Sequence, residues 1–146
     1  MLVWVEIPLK MFLAMFLGGL IGWEREVEGK PAGLRTIMLV CLSACIYVLS
    51  VEWASAGRGC SMDVARVMCG ISEGVGFLGA GLILRSGGTV RLLTTAATVW
   101  AAAAVGFAVG LGLYYIAILG SALVFVILKW LENLEERWLG SDKDAE

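Results

Sequence analysis

Three sets of residues in this chain have the types and spacing to do chemistry. Glu73 is an ionisable group inside one apolar run, and Lys10 is a lone cation inside another. Glu24, Arg25, Glu26, Arg35 and Thr36 crowd the junction between the first two runs, while Arg91, Thr94, Thr95 and Thr98 open a later one. A carboxyl within a membrane-spanning run can carry a proton, pair with a cation or line a wet cavity. Magnesium usually binds through one or two carboxylates with waters retained, so Glu24, Glu26 and Glu73 are the candidate metal ligands. Histidine is absent, which removes the usual zinc ligand and the usual base near neutral pH. With no nucleophile–base pair and no metal-ligand cluster, an enzyme is not expected. No cofactor is implied beyond a magnesium ion.

The elements that must hold these groups follow from composition. Of 146 residues, 60% are hydrophobic and 16% charged, with a mean hydropathy of +0.87. A soluble domain of this size could not bury so much apolar surface in one core, and a disordered chain would be polar. The composition predicts an all-α integral membrane bundle in contact with the lipid bilayer. A net charge of −2 leaves no basic surplus for nucleic acid. Cys41, Cys45, Cys60 and Cys69 show no CxxC spacing and read as small packing residues.

About 20 apolar residues cross a bilayer as helix. Five such spans are predicted, at 2–23, 33–53, 67–84, 92–110 and 113–131. Arg25, Lys30, Arg35, Arg85, Arg91, Lys129, Arg137 and Lys143 then share one side, against Lys10, Arg58 and Arg66 on the other. The excess of positive charge places the first side in the cytoplasm and the N-terminus outside. Trp23, Trp53, Trp130 and the Tyr114–Tyr115 pair fall at span ends, as an interfacial belt requires, whereas Trp100 falls mid-span. Residues 1–131 thus form the transmembrane domain, and 132–146 a short amphipathic cytoplasmic helix with a frayed tail.

The third span carries Gly70, Gly74, Gly76, Gly79 and Gly81 on two faces, which predicts a central helix with close neighbours on both sides. Glu73 lies about 9 Å inside that span by helical rise and would face the bundle interior. Lys10 is the cation placed to pair with it, and Glu6, four residues earlier on the same helix, competes. At the inner ends, Arg35 is expected to pair with Glu24 or Glu26, and the threonines can cap the fourth helix. Gly18/Gly22 and Gly106/Gly110 have the small-xxx-small spacing of close helix crossings and are compatible with a homodimer.

Four ordered blocks resemble the MgtC/SapB family of bacterial inner-membrane proteins. They are Gly18-Gly19-Leu20-Ile21-Gly22-Trp23-Glu24-Arg25-Glu26, Ala32-Gly33-Leu34-Arg35-Thr36, Gly76-Phe77-Leu78-Gly79-Ala80-Gly81 and Leu93-Thr94-Thr95-Ala96-Ala97-Thr98, the last followed by Trp100 and Gly106. The resemblance covers about residues 12–125. Leu92 stands where relatives commonly have glycine, and Glu73 where a small polar residue is usual. Many relatives continue into a soluble domain for which residues 132–146 are too short. The resemblance implies a multi-pass inner-membrane protein tied to growth in low magnesium and, in some pathogens, to survival in host cells. It also implies restraint of the F-type ATP synthase through protein contact. A non-enzymatic regulator of a membrane partner is therefore the leading expectation. A small magnesium, proton or solute transporter with its pathway beside the third helix is the alternative.

Overall fold

The structure, a computed structural model, describes residues 2–59, 61–84 and 92–131. Arg85, Arg91, Cys60 and the expected amphipathic helix and tail at 132–146 lie outside the described residues. Among the described residues five α-helices follow in order: α1 (Leu2–Val27), α2 (Leu34–Ala56), α3 (Val64–Leu84), α4 (Leu93–Gly110) and α5 (Tyr114–Val126). The described residues contain no strand. The first four helices are long and apolar enough to cross a membrane. The fifth is shorter than the expected span and passes into a π-helical turn at Ile127–Leu131.

Helix ends are set by local chemistry. At the end of α1, Gly29 takes φ +62°, while Lys30 N–H donates to Arg25 O and Gly29 N–H to Glu26 O. Those paired bonds are a Schellman closure, which satisfies carbonyls that the helix leaves open. The α4–α5 turn repeats it, with Leu113 N–H donating to Ala108 O, Gly112 N–H to Val109 O and Gly112 at φ +76°. Asp63 caps α3, accepting the Arg66 N–H at 3.0 Å and the Arg66 Nε–H at 3.2 Å. The Arg66 backbone amide, then its side chain, hold the exposed Asp63 carboxyl below its ordinary pKa.

Because lipid is as apolar as leucine, helices in a bilayer associate through close packing rather than through hydrophobic exclusion. The small residues do this work here. A Cβ on Gly18 would lie 2.7 Å from Cys41 Cβ, and one on Gly22 2.8 Å from Leu34 Cα. From the other side, a Cβ on Gly106 would overlap the Cys41 carbonyl, and one on Gly110 would lie 2.7 Å from Val48 Cβ. Both small-xxx-small pairs therefore serve crossings within the chain, α1 and α4 gripping opposite flanks of α2. Ala14, Leu17 and Ile21 of α1 meet Ile37, Cys41 and Cys45 of α2 and Val99, Ala102, Val105 and Val109 of α4 in the core.

The third helix departs from the expectation of a central position. Only 6% of its span is buried, against 56% for α4. Open space surrounds Gly70, Gly74, Gly76 and Gly81, and only Gly79 approaches a neighbour, at 3.6 Å from Ala96 Cβ. The central helix is α4, whose alanines and valines are small enough to be surrounded. Between α2 and α3 opens an apolar groove of about 740 Å³, lined by residues that include Leu39, Tyr47, Gly70, Gly74 and Leu78.

Candidate functional site

The Schellman closure of α1 fixes its last turn, and that turn carries Glu24, Arg25 and Glu26. Arg25 points inward and is 3% exposed; its Nη2–H donates to Thr95 Oγ1 at 3.0 Å. Thr95 is itself buried in the first turn of α4. The bond joins α1 to α4 across 70 residues of chain. Arg25 Nε is buried and has no hydrogen-bond partner among the described residues. The guanidinium thus keeps a donor directed into the protein, where an acceptor would be held more firmly than in water. Glu24, one residue earlier, is buried as well. This is the one place among the described residues where a buried acid, a buried arginine and a buried hydroxyl adjoin.

Glu26 faces the other way. It is exposed, and its Oε2 accepts the Leu34 N–H at 2.9 Å, capping α2 from eight residues upstream. A Cβ on Gly33 would overlap that same oxygen, so the glycine makes room for the cap. The expected ion pair of Arg35 with Glu24 or Glu26 does not form. Arg35 and Thr36 are exposed, and Glu26 meets a backbone amide instead. The threonines do not cap α4 either, since no side-chain cap bond forms at Leu92. Thr95 serves Arg25, Thr94 is exposed, and Thr98 donates its hydroxyl back to Thr94 O at 2.7 Å.

At the opposite end, Lys10 is buried, but its partner is not Glu73. Its Nζ lies 2.9 Å from Glu6 and 4.0 Å from Glu52. Glu6 is one helical turn away, and α2, not α3, flanks α1 at this level. Glu52 escaped notice in the sequence, where it reads as an end-of-span charge beside Trp53. The edge-to-face contact of Trp4 with Trp53, centroids 5.8 Å apart, ties the same two helix ends together. Glu73 is exposed on α3, and Trp100 is exposed on α4 beside a small cleft that also touches Ser72.

The three candidate magnesium ligands are not brought together. The described residues contain no group of three or more acidic, cysteine or histidine side chains that could hold a metal. Glu24 is inside, Glu26 is outside capping α2, and Glu73 is on another helix.

The sequence was compared with known proteins. The sequence model described as the MgtC family matches residues 11–137. The chain is 40% identical over 116 residues to the protein MgtC of Salmonella typhimurium, covering 80% of this chain and 48% of that one. It is 36% identical over 147 residues to the protein SrpB of Synechococcus elongatus, covering 93% and 81%. To the YhiD protein of Escherichia coli K12, named as a candidate magnesium transporter, it is 33% identical over 141 residues, covering 94% and 66%. The chain thus spans from about half to four-fifths of the length of these relatives. No solved structure matches. The matched span runs from the middle of α1 past the end of α5 and takes in Glu24, Arg25, Glu26, Arg35, Thr95 and Trp100, and by that match this multi-pass membrane protein belongs to the MgtC family.

Proposed function

We propose that this chain is a non-enzymatic protein of the bacterial inner membrane, serving adaptation to low magnesium by regulating a membrane partner such as the F-type ATP synthase. The N-terminus lies outside and the inner ends of α1 and α4 face the cytoplasm, following the distribution of lysine and arginine. The buried Arg25–Thr95 bond carries the reading. It is a polar lock between two helix ends, inside the matched span, with a donor left over for an acceptor. Buried, incompletely satisfied polar groups of this kind are costly and mark functional positions more often than packing ones.

The experiment is complementation of growth in low magnesium by Arg25→Ala and Thr95→Val, with membrane levels checked for both. Loss of growth with normal levels supports the reading, and full complementation by both variants overturns it. The alternative, a small magnesium, proton or solute transporter, draws on the name of YhiD and on the apolar groove beside α3. Liposomes containing this chain alone discriminate the two. A magnesium or proton flux above that of empty vesicles favours transport, and its absence favours the regulator.

A further inference from the structure

Gly70 and Gly74 of α3 stand across the apolar groove from Ser43 and Ala44 of α2, and all four line it. Small residues on facing helices usually let the two backbones approach closely in a membrane. Here the helices stay apart, for a Cβ on either glycine would meet nothing within 4 Å. The groove lies within two spans that are long and apolar enough to cross a bilayer. Apolar walls without partner atoms forfeit their dispersion contacts, so such a space favours an apolar occupant.

The length of the groove selects that occupant. It runs along α2 from Leu39 to Val51 and back along α3 from Arg66 to Leu78, about 18 Å at the helical rise. One leaflet supplies about 15 Å of hydrocarbon, half of the roughly 30 Å core. The groove thus has the depth of one leaflet, which is the reach of a lipid tail. A helix of another protein would need a track across the whole core.

The end of the groove selects the headgroup. Arg66, in the first turn of α3, lines the same groove as the apolar residues, and its side chain is 87% exposed. Its Nε–H donates to Asp63 at 3.2 Å, which orients the guanidinium at the helix end. A guanidinium has five N–H donors, so a carboxylate and a phosphate can share it. A cation at the membrane surface above an apolar bed complements a phosphate that carries an acyl tail, and basic pockets between membrane helices take lipid headgroups in this way.

We propose that the α2–α3 groove is a binding site for a glycerophospholipid, its phosphate on Arg66 and one acyl chain lying along Gly70 and Gly74 toward Leu78. The site belongs to the leaflet at whose surface Arg66 stands, and it is separate from the Arg25–Thr95 lock.

The test uses the full chain in dodecyl maltoside micelles with a trace of phosphatidylglycerol carrying a diazirine midway along one tail. After illumination, adducts are mapped by mass spectrometry and normalised to those on Ile116 and Leu119, exposed residues of α5. Groove residues should be labelled in excess, and unlabelled phosphatidylglycerol should compete whereas diacylglycerol with the same tails should not. Arg66→Gln should lower groove labelling about fivefold, the worth of one basic side chain at a lipid surface, and Arg66→Lys should retain most of it. Gly74→Leu, which puts bulk into the groove and leaves Arg66 intact, should lower it at least as much. Thermal unfolding of each variant confirms the fold. Equal competition by diacylglycerol, or labelling unchanged in Arg66→Gln, would overturn the phosphate contact and with it the site. A groove labelled no more than α5 is closed or filled by protein, and the proposal is then wrong.

Discussion

Arg25 and Thr95 stand 70 residues apart in the chain and 3.0 Å apart in the fold, guanidinium on hydroxyl, with both side chains buried. Breaking this bond from the Thr95 side strands the guanidinium. Thr95→Val is expected to lower stability by roughly 1–3 kcal/mol, the cost of a buried group left unsatisfied. Thr95→Ser keeps the acceptor and should stay near wild type. Thermal unfolding in mild detergent reads the difference.

Glycine substitutions should change sign between helices. Gly106→Leu and Gly110→Leu drive α4 into the backbone and side chains of α2 and should lose about 3 kcal/mol or more, since overpacking against backbone cannot relax easily. Gly74→Ala and Gly81→Ala meet open space and should gain up to about 1 kcal/mol from helix propensity. Fluorescence-detected chromatography across a temperature series checks both sets.

Lys10 should couple to Glu6 and not to Glu73. Lys10→Met and Glu6→Gln share an ion pair and are expected to be non-additive, whereas Lys10→Met and Glu73→Gln should add within about 0.5 kcal/mol. A double-mutant cycle on unfolding temperature decides between the two.

At the junction of α1 and α2, Glu26→Ala should lower stability by about 0.5–2 kcal/mol, the usual worth of a helix cap. Glu26→Gln retains an acceptor for the Leu34 amide and should cost less. Amide exchange in the first turn of α2 would report the loss directly.

The start of α3 should respond to acid. Its capping Asp63 has a pKa held below the ordinary value by Arg66. Its contribution is therefore fully present above the ordinary carboxylate range and is lost as pH falls through the lowered pKa. Exchange of the first-turn amides of α3 should speed up in acid, and Asp63→Asn should flatten that dependence between neutral and acid pH.

The helices could be read from the sequence because their apolar runs have the length of a bilayer and end at charges and glycines. The arrangement of the helices was harder to read. Gly18 and Gly22 look no different in sequence from Gly70 and Gly74, yet the first pair is packed and the second faces open space. A lipid-facing helix is as apolar as a buried one, so hydropathy carries no signal of which side is covered. Glu24, Arg25 and Thr95 stood out by type and place, but the bond between Arg25 and Thr95 depends on how α1 meets α4. Glu6 was a readable partner for Lys10 at one helical turn, while Glu52 required the register of α1 against α2. The Arg35 pairing failed because Ala32, at φ +58°, and Gly33 turn the chain so that the Leu34 amide reaches Glu26 first.

The position of Cys41, touched by Gly18 from one side and Gly106 from the other, has a bearing on how the chain is built at the ribosome. The first two spans are made in succession, so the Gly18 flank of Cys41 is covered as soon as α2 enters the bilayer. Its other flank must wait while α3 is synthesised and released. When α4 arrives, Gly106 closes on the Cys41 carbonyl, and in the completed fold Cys41 is buried. In a chain whose other cysteines are replaced by serine, arrest after α3 should leave Cys41 open to a membrane-permeant maleimide, and arrest after α5 should protect it, so that labelling of this one thiol reports the docking of α4.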